Sequence, residues 1–143
     1  MSHIGIDVGG SGLRAAVIEG GLCGKIRSID LTSRTVEAVL AAVMTLSEDF
    51  GAVSSLGVAV PGFADGNIIR SSPNFPEWKN VPFAELLSKR IGCAVHVEND
   101  ASAAAWGAYL KRGGEKSLVL ITLGTGVGGG IVDQGRLLRG SCG

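Results

Sequence analysis

Two short turns combine glycine with a hydroxyl residue: Gly10-Ser11-Gly12 near the amino terminus and Gly124-Thr125-Gly126 later in the chain. Glycine lets the backbone come close to a ligand, and successive N–H groups in such a turn point toward the same place. Phosphate oxygens are good acceptors for those N–H groups. One such turn is a weak signal, but two of them predict a site for a chain of phosphates.

Acidic and amide side chains stand beside these turns and at predicted strand ends. Asp7 precedes Gly9-Gly10, where its carboxylate would either hold Mg²⁺ through water near the phosphates or simply form the turn. Asn99 and Asp100 precede an alanine-rich segment, where either side chain would cap a helix and be favoured by the helix dipole. Asparagine both donates and accepts hydrogen bonds, although loop asparagines more often shape turns than contact ligands.

Each glycine turn also fits a dinucleotide-binding pattern, GxGxxG at 124–129 and GxGxxA at 10–15. That pattern needs a helix directly after the glycines. A helix through 128–130 would lose about 1 kcal/mol per glycine, and Gly20-Gly21 follows the first turn too soon for a helix. The sequence therefore argues against a Rossmann site, and the absence of GxxxxGK(S/T) excludes a P-loop.

Strands and helices must position these residues. Apolar runs at 3–8 and 13–18 predict two strands around the first turn. Apolar residues at helical spacing predict an amphipathic helix over 34–50, with Ser33 as its cap and Gly51 as its stop. The further predicted elements are a buried strand at 56–60, a shaped loop region at 61–82 with a short strand at 67–70, a helix at 83–91, a strand at 94–98, a helix at 99–111 and a hairpin of 116–123 with 130–138. This alternation predicts an α/β fold.

The two glycine turns belong to a near-repeat. Gly10-Ser11-Gly12 aligns with Gly124-Thr125-Gly126, and the apolar and acidic positions of 17–21 align with those of 131–135. Each unit is a strand, a turn and a returning strand. We therefore predict two related domains, an amino-terminal domain over 1–115 and the beginning of a second domain over 116–143.

Composition places the chain among ordinary globular proteins. Of its 143 residues 45% are hydrophobic and 18% are charged, and its formal net charge of zero argues against a general nucleic-acid binder. It has no apolar run long enough to span a membrane and no signal-peptide core, so we expect a cytoplasmic protein without membrane or nucleic-acid partners. Cys23, Cys93 and Cys142 lack the spacing of metal ligands, so we expect reduced structural thiols and no metal-ligating residues.

The order of the motifs resembles a known group of proteins. The segments 7–11 and 123–130 resemble the two phosphate-binding turns of the actin-like ATPase and sugar kinase superfamily. Val60-Pro61-Gly62, the Pro-Asn-Phe-Pro-Glu-Trp segment at 73–78 and the Val-Glu-Asn-Asp-Ala segment at 97–101 are similar to motifs of the bacterial ROK family of sugar kinases and regulators. The resemblance implies a ribonuclease-H-like α/β domain, with a mixed sheet and flanking helices, followed by the first hairpin of a second such domain.

The ROK resemblance implies a hexose kinase that uses ATP and Mg²⁺, with glucose favoured over N-acetylated hexosamines, mannose and fructose. Asp100 would accept the proton of the attacking hydroxyl. The implied nucleotide contacts are Asp7, Gly9, Gly10, Ser11, Gly12, Gly124, Thr125 and Gly126. The implied sugar contacts are Gly62, Ser72, Asn74 and Asn99. Trp78 would either wall the sugar site or belong to the core.

Two other functions fit parts of the pattern. A ROK transcriptional regulator binds sugar without phosphorylating it, but it carries a helix-turn-helix before the first turn, and here six residues precede Asp7. A non-catalytic domain of the actin-like type would not need a sugar site, so Pro73-Asn74 and Asn99-Asp100 argue against it.

The resemblance also sets expectations for the rest of the molecule. ROK chains continue into a larger domain with a Gly-Glu-x-Gly-His segment and often a zinc site, so we expect the 143 residues to be part of an enzyme and inactive alone. We expect the whole protein to be a homo-oligomer, a dimer. An isolated hairpin over 116–139 would be marginal in water, so we expect it to pair with another copy, dock on the first domain or be poorly ordered.

Overall fold

The computed structural model describes residues 2–114, 116–124 and 126–141. In order along the chain, its elements are β1 (Ser2–Val8), β2 (Gly12–Glu19), β3 (Leu22–Cys23), β4 (Arg27–Asp30), α1 (Val36–Glu48), β5 (Val53–Val60), β6 (Phe63–Asp65), β7 (Ile68–Ser71), β8 (Lys79–Val81), α2 (Phe83–Ile91), β9 (Ala94–Asn99), α3 (Asp100–Lys111), β10 (Leu118–Leu123), β11 (Val127–Asp133) and β12 (Arg136–Leu137). Within these ranges no helix is long and apolar enough to cross a bilayer. The alternation of strands and helices is the predicted α/β pattern.

A six-stranded mixed sheet forms the centre of the molecule, in the order β3-β2-β1-β5-β9 with β4 also paired to β2. β1 pairs antiparallel with β2 across the first glycine turn, as predicted. It also pairs parallel with β5, which is parallel to β9. The strands β1, β5 and β9 therefore end at one edge of the sheet, and the predicted mixed sheet is confirmed.

One face of the central sheet is covered by α1 and α2. The predicted amphipathic helix is confirmed, but its cap is Thr35, whose Oγ1 accepts the N–H of Ala38 at 3.2 Å. Ser33, the predicted cap, hydrogen-bonds to Thr35 instead, because the helix begins two residues later than expected. The core on this face is formed by α1, β1 and β5. Their buried apolar residues are Val39, Leu40, Ala42, Val43, Leu46, Ile4, Ile6, Val8, Leu56, Val58 and Val60.

The region at 61–82 is more regular than the predicted loop with one short strand. It forms a three-stranded sheet, β6-β7-β8. Ile69 is fully buried, and the rings of Phe75, Trp78 and Phe83 stack with centroids 4.3 and 5.3 Å apart. Burial thus stabilises strands that are too short to show a period in the sequence. Trp78 is 1% exposed and donates its Nε1–H to the carbonyl of Arg34 at 3.0 Å, so it belongs to the core.

The opposite face of the central sheet is open. Small residues on three strands, among them Gly5, Ala16 and Gly57, line a groove of about 550 Å³. Trp106 of α3 borders this groove, while α3 packs chiefly on the carboxy-terminal sheet β10-β11-β12.

The carboxy-terminal sheet approaches α3 very closely. A Cβ added at Gly130 would lie 2.6 Å from Ala105 Cβ and 2.9 Å from Ser102 Cα, and Val132 is fully buried beside Tyr109. Docking on the preceding part of the chain is therefore the outcome observed for this hairpin. The exposed apolar residues of the sheet are Val119, Ile121, Leu123, Val127 and Ile131. The division of the chain at residue 115 stays a prediction.

The cysteines in the described ranges are free thiols. Cys23 is exposed and Cys93 is half-buried. Burial raises the pKa of the Cys93 thiol, so it stays protonated to higher pH than an ordinary cysteine. Cys142 lies outside the described residues.

We expect Gly130→Ala to loosen the packing of the carboxy-terminal sheet on α3, because the new Cβ would collide with Ala105 and with the helix backbone. The free energy of unfolding should fall by about 1–3 kcal/mol, the usual cost of overpacking. Urea unfolding measures this change. Gly57→Ala is the matched control, since a Cβ added at that strand position meets no atom within 4 Å. Equal stability of the two variants would contradict the close packing.

Candidate functional site

Three connections that carry predicted site residues meet at one edge of the central sheet. Because β1, β5 and β9 are parallel, Gly9, Pro61 and Asp100 all follow a strand at the same edge. Ligands of open α/β sheets usually bind in the crevice outside these carboxyl ends. The predicted nucleotide turn and the predicted sugar residues therefore share one place in the fold.

The first glycine turn is closed by its backbone and packs against a predicted sugar residue. Gly9 N–H donates to the carbonyl of Gly12 at 2.8 Å. A Cβ added at Gly10 would lie 2.9 Å from Asn74 Nδ2, so a larger residue there would displace the amide. Ser11 is exposed, and its hydroxyl has no hydrogen-bond partner in the described part of the chain. The turn is thus closed by its own backbone, and its Ser11 hydroxyl is available to a ligand.

Gly62 links the end of β5 to the sheet β6-β7-β8 in a conformation that favours glycine. Its φ is +123°, and an added Cβ would lie 2.7 Å from Ser72 Cα. Its carbonyl accepts the Nδ2–H of Asn99 at 2.8 Å. Ser72 is 6% exposed, and its hydroxyl has no partner among the residues that the structure describes. These contacts join Gly62, Ser72 and Asn99 in one cluster.

The sequence leaves open whether Asn99 or Asp100 caps α3, and the structure assigns the cap to Asn99. Asn99 caps α3, since its Oδ1 accepts the N–H of Ser102 at 3.0 Å. Asp100 is the exposed first residue of α3, and its Oδ1 accepts the N–H of Ala101 at 2.8 Å. Its Oδ2 has no hydrogen-bond partner within the described ranges. One oxygen of the carboxylate is therefore held by the backbone, and the other is available to accept a hydrogen bond from a ligand.

The two asparagines predicted to contact sugar differ in the number of hydrogen bonds that their side-chain amides make within the protein. Asn99 Nδ2 donates to Gly62 and also lies 3.2 Å from Asp100 Oδ1. Asn74 is half-buried beside Gly10, and its amide makes no hydrogen bond to any described residue. Asn74 is thus the amide with free hydrogen-bonding capacity, whereas Asn99 mainly holds the cluster together.

The second glycine turn lies near the amino-terminal end of α3. A Cβ added at Gly128, early in β11, would lie 3.1 Å from Ala101 Cβ. Gly124 N–H donates to the carbonyl of Gly126 at 2.9 Å, and a Cβ at either glycine would meet no atom within 4 Å. Thr125, the predicted hydroxyl residue of this turn, lies outside the described residues. The strand that leaves the turn therefore packs beside the helix end that carries the candidate base.

Asp7 is paired with a basic residue that the sequence alone does not single out. Arg14, its antiparallel cross-strand partner, donates to Asp7 Oδ2 at 2.5 Å. Mg²⁺ keeps several waters and takes only one or two carboxylates when phosphates supply the other oxygens. Asp7, half-exposed beside the first turn, fits this requirement as a single carboxylate. The described residues contain no cluster of three His, Cys, Asp or Glu side chains that could hold a metal by themselves.

Glu98 and Arg139 form a second ion pair at this edge that the sequence reasoning misses. Glu98 Oε1 accepts the N–H of Asn99 at 2.9 Å, and Oε2 accepts a hydrogen bond from Arg139. The position of Glu98 directly before Asn99 is a signal in the sequence. Arg139 leaves no such signal, because its contact depends on how the carboxy-terminal sheet docks.

Comparison with known proteins decides the family. Residues 3–143 match the model of the ROK family. This chain belongs to the ROK family. Its fold is the ribonuclease-H-like α/β fold of the actin-like ATPase kinases, as the motifs predict.

Relatives of this ROK chain include kinases and a regulator. Glucokinase from Thermotoga maritima is 38% identical over 149 aligned residues, which cover 98% of this chain and 47% of that protein. The structure of a ROK family glucokinase from Streptomyces griseus with glucose and AMPPNP is 35% identical, has a TM-score of 0.82 and matches 98% of this chain and 47% of its own. A ROK family transcriptional regulator, a homologue of the Escherichia coli MLC protein, is 28% identical, has a TM-score of 0.86 and matches 99% of this chain and 39% of its own. The chain thus spans about half the length of the curated relatives it matches.

If the first turn belongs to the predicted nucleotide and sugar sites, Gly10→Ala should weaken the binding of both ligands, because the added Cβ blocks the backbone of the turn and displaces Asn74. Each dissociation constant should rise about tenfold, which corresponds to the loss of roughly one hydrogen bond. Calorimetric titration with an ATP analogue and with glucose checks this in the whole protein. Gly57→Ala serves again as the control. A change in nucleotide affinity alone would show that the turn does not reach the sugar site.

Proposed function

We propose that the whole protein transfers the γ-phosphoryl group of ATP to a hydroxyl of a hexose, with glucose as the first candidate. The observation that carries this proposal is the open Oδ2 of Asp100, at the edge shared by the first glycine turn, Gly62 and Asn99. The glucokinases of similar sequence support ATP and glucose as its substrates. The hexose partner, the Mg²⁺ ion and the expected dimer belong to the same proposal.

Asp100 orients the attacking hydroxyl and accepts its proton. The transition state of phosphoryl transfer is loose, so the nucleophile needs little activation and its position matters most. The hydrogen bond from Ala101 N–H fixes one carboxylate oxygen and leaves Oδ2 directed to the substrate. The hydroxyl oxygen bonds to the γ-phosphorus, its proton passes to Oδ2 and ADP leaves.

The two glycine turns hold the phosphates from two directions. The N–H groups of Gly9 and Gly124 close the turns. Other N–H groups of the turns donate to phosphate oxygens, and the exposed hydroxyl of Ser11 joins them. Mg²⁺, when bound, neutralises charge on the β- and γ-phosphates. Asp7 would hold the ion, and Arg14 keeps the Asp7 carboxylate in place.

Asn74, beside the first turn, and Ser72, beside Gly62, supply hydrogen-bonding capacity that no described residue uses. A hexose presents vicinal hydroxyls, each a donor and an acceptor, and the amide of Asn74 can satisfy both functions. Asn99 shapes the same pocket through its bonds to Gly62 and Ser102. Sugar recognition in this proposal therefore depends directly on Asn74 and indirectly on Asn99.

Asp100→Asn in the whole protein should lower kcat by about 10² or more, the usual contribution of a positioned base. The asparagine keeps an oxygen for the Ala101 N–H, so the fold and the dissociation constant for glucose should change little. Steady-state kinetics and equilibrium sugar binding measure the two effects separately. A variant that retains more than about a tenth of the wild-type kcat would remove Asp100 from this role.

The two asparagines should respond differently to truncation. Asn74→Ala should raise the dissociation constant for glucose about tenfold with an unchanged melting temperature, because it removes a ligand contact and no contact within the protein. Asn99→Ala should reduce the free energy of unfolding by about 1 kcal/mol or more, because it removes the cap of α3 and the link to Gly62. Thermal melts and sugar titrations distinguish the two. Lower stability in Asn74→Ala, together with weaker sugar binding in a stable Asn99→Ala variant, would contradict this assignment.

A sugar-binding regulator without kinase activity is the second candidate, and the regulator structure of the same fold supports it. The two functions make different predictions for one experiment. The whole protein is incubated with ATP and Mg²⁺ and with glucose, N-acetylated hexosamines, mannose or fructose in turn, and both binding and ADP release are followed. ADP release with one hexose supports the kinase, whereas sugar binding without any ADP release supports the regulator.

A further inference from the structure

Charged side chains form a row across the open face of the central sheet, close to the edge that carries the site. Asp7 is in register with Arg14 on one side and with Ala59 on the other, and Ala59 is in register with Glu98. Arg14 pairs with Asp7, and Arg139 pairs with Glu98. Arg14 lies in the central sheet itself, but Arg139 comes from the segment that follows β12. The second ion pair therefore joins the central sheet to the segment that follows the carboxy-terminal sheet.

Glu98 acts on the residues that follow it in the chain. Its Oε1 accepts the N–H of Asn99 at 2.9 Å, at the point where β9 ends and α3 begins. Asn99 in turn caps α3 and holds Gly62, and its amide also lies beside Asp100. The backbone that carries the candidate base is thus fixed from the strand side by the Glu98 carboxylate.

Arg139 is connected to the second glycine turn by a short and ordered path. Leu138 N–H donates to the carbonyl of Ile131 at 2.8 Å, which ties the segment of Arg139 to β11. β11 begins directly after the turn of Gly124 and Gly126. Arg139 is therefore linked through Leu138 and Ile131 to the strand that leaves the turn.

We propose that Glu98, acting through Arg139, is a positioning residue that sets the second glycine turn relative to Asp100. This inference rests on the proposed kinase function and names no new contact with substrate. The side chains of Glu98 and Arg139 are 21% and 46% exposed, and an ion pair with this exposure contributes little to folding stability. Phosphoryl transfer is far more sensitive, because a displacement of about 1 Å between reacting groups can cost as much as 10²-fold in rate.

A double-mutant cycle in the whole protein tests the proposal. Glu98→Gln keeps an acceptor oxygen for the Asn99 N–H but loses the charge that holds Arg139, and Arg139→Met removes the other partner. Each single variant should lower kcat about tenfold, and the double variant should be no slower than either, because both remove the same interaction. Arg139→Lys should restore most of the rate. The dissociation constant for glucose should stay within about twofold, because Asn74 and Ser72 do not depend on Arg139.

Glu37→Gln is the matched control, since it breaks the ion pair of Glu37 with Arg90 between α1 and α2, away from the site. It should leave kcat unchanged. Unaltered kcat in both single variants, or losses that multiply in the double variant, would overturn the positioning role. So would a parallel loss of sugar affinity in Glu98→Gln, because Glu98 would then act on Asn99 alone. If the wild-type protein shows no turnover with any hexose, the proposed function itself fails, and the two failures are thus distinguishable.

Discussion

The parallel pairing of β1, β5 and β9 is the constraint on which the rest of this molecule depends. Parallel strands place their carboxyl ends at one edge, and here each strand is followed by a segment that carries predicted site residues. The first glycine turn follows β1, Gly62 follows β5 and Asp100 follows β9. A register shift of one residue in β5 would move Gly62 away from the amide of Asn99 and would bring the apolar face of that strand into solvent.

Two glycines, Gly62 and Gly130, let segments of backbone come close together, and these contacts affect both the stability of the fold and the shape of the site. At Gly62, just after β5, the missing Cβ lets the backbone of Ser71 and Ser72 at the end of β7 come close. At Gly130 the missing Cβ lets the carboxy-terminal sheet pack on the backbone of α3. Both contacts are made by atoms that a larger residue would separate, so the shape of the site is determined by packing density as much as by polar groups.

α3 is the element that connects the central sheet to the carboxy-terminal sheet. Its first residue carries the candidate base, its cap holds Gly62, and its small residues accept β11. The pair of Glu98 with Arg139 crosses the same junction on the other side of β9. Through the helix and the ion pair, the edge of the central sheet that carries Asp100 is connected to the carboxy-terminal sheet and to the segment that follows it.

The sequence by itself determined most of the local elements and supplied the candidates for the site residues. Apolar periodicity and glycine position predicted β1, β2, α1, α2, β9 and α3 with small errors at their ends, and the ordered motifs indicated the family together with Asp100, Asn74 and the first turn. These features are local, because caps, turns and strand ends are set by neighbours in the chain. Only the tertiary structure decided that 61–82 forms a sheet, that Trp78 belongs to the core and that Arg139 reaches Glu98. Those outcomes depend on contacts between residues far apart in the chain, and short runs of sequence carry no period or spacing that records them.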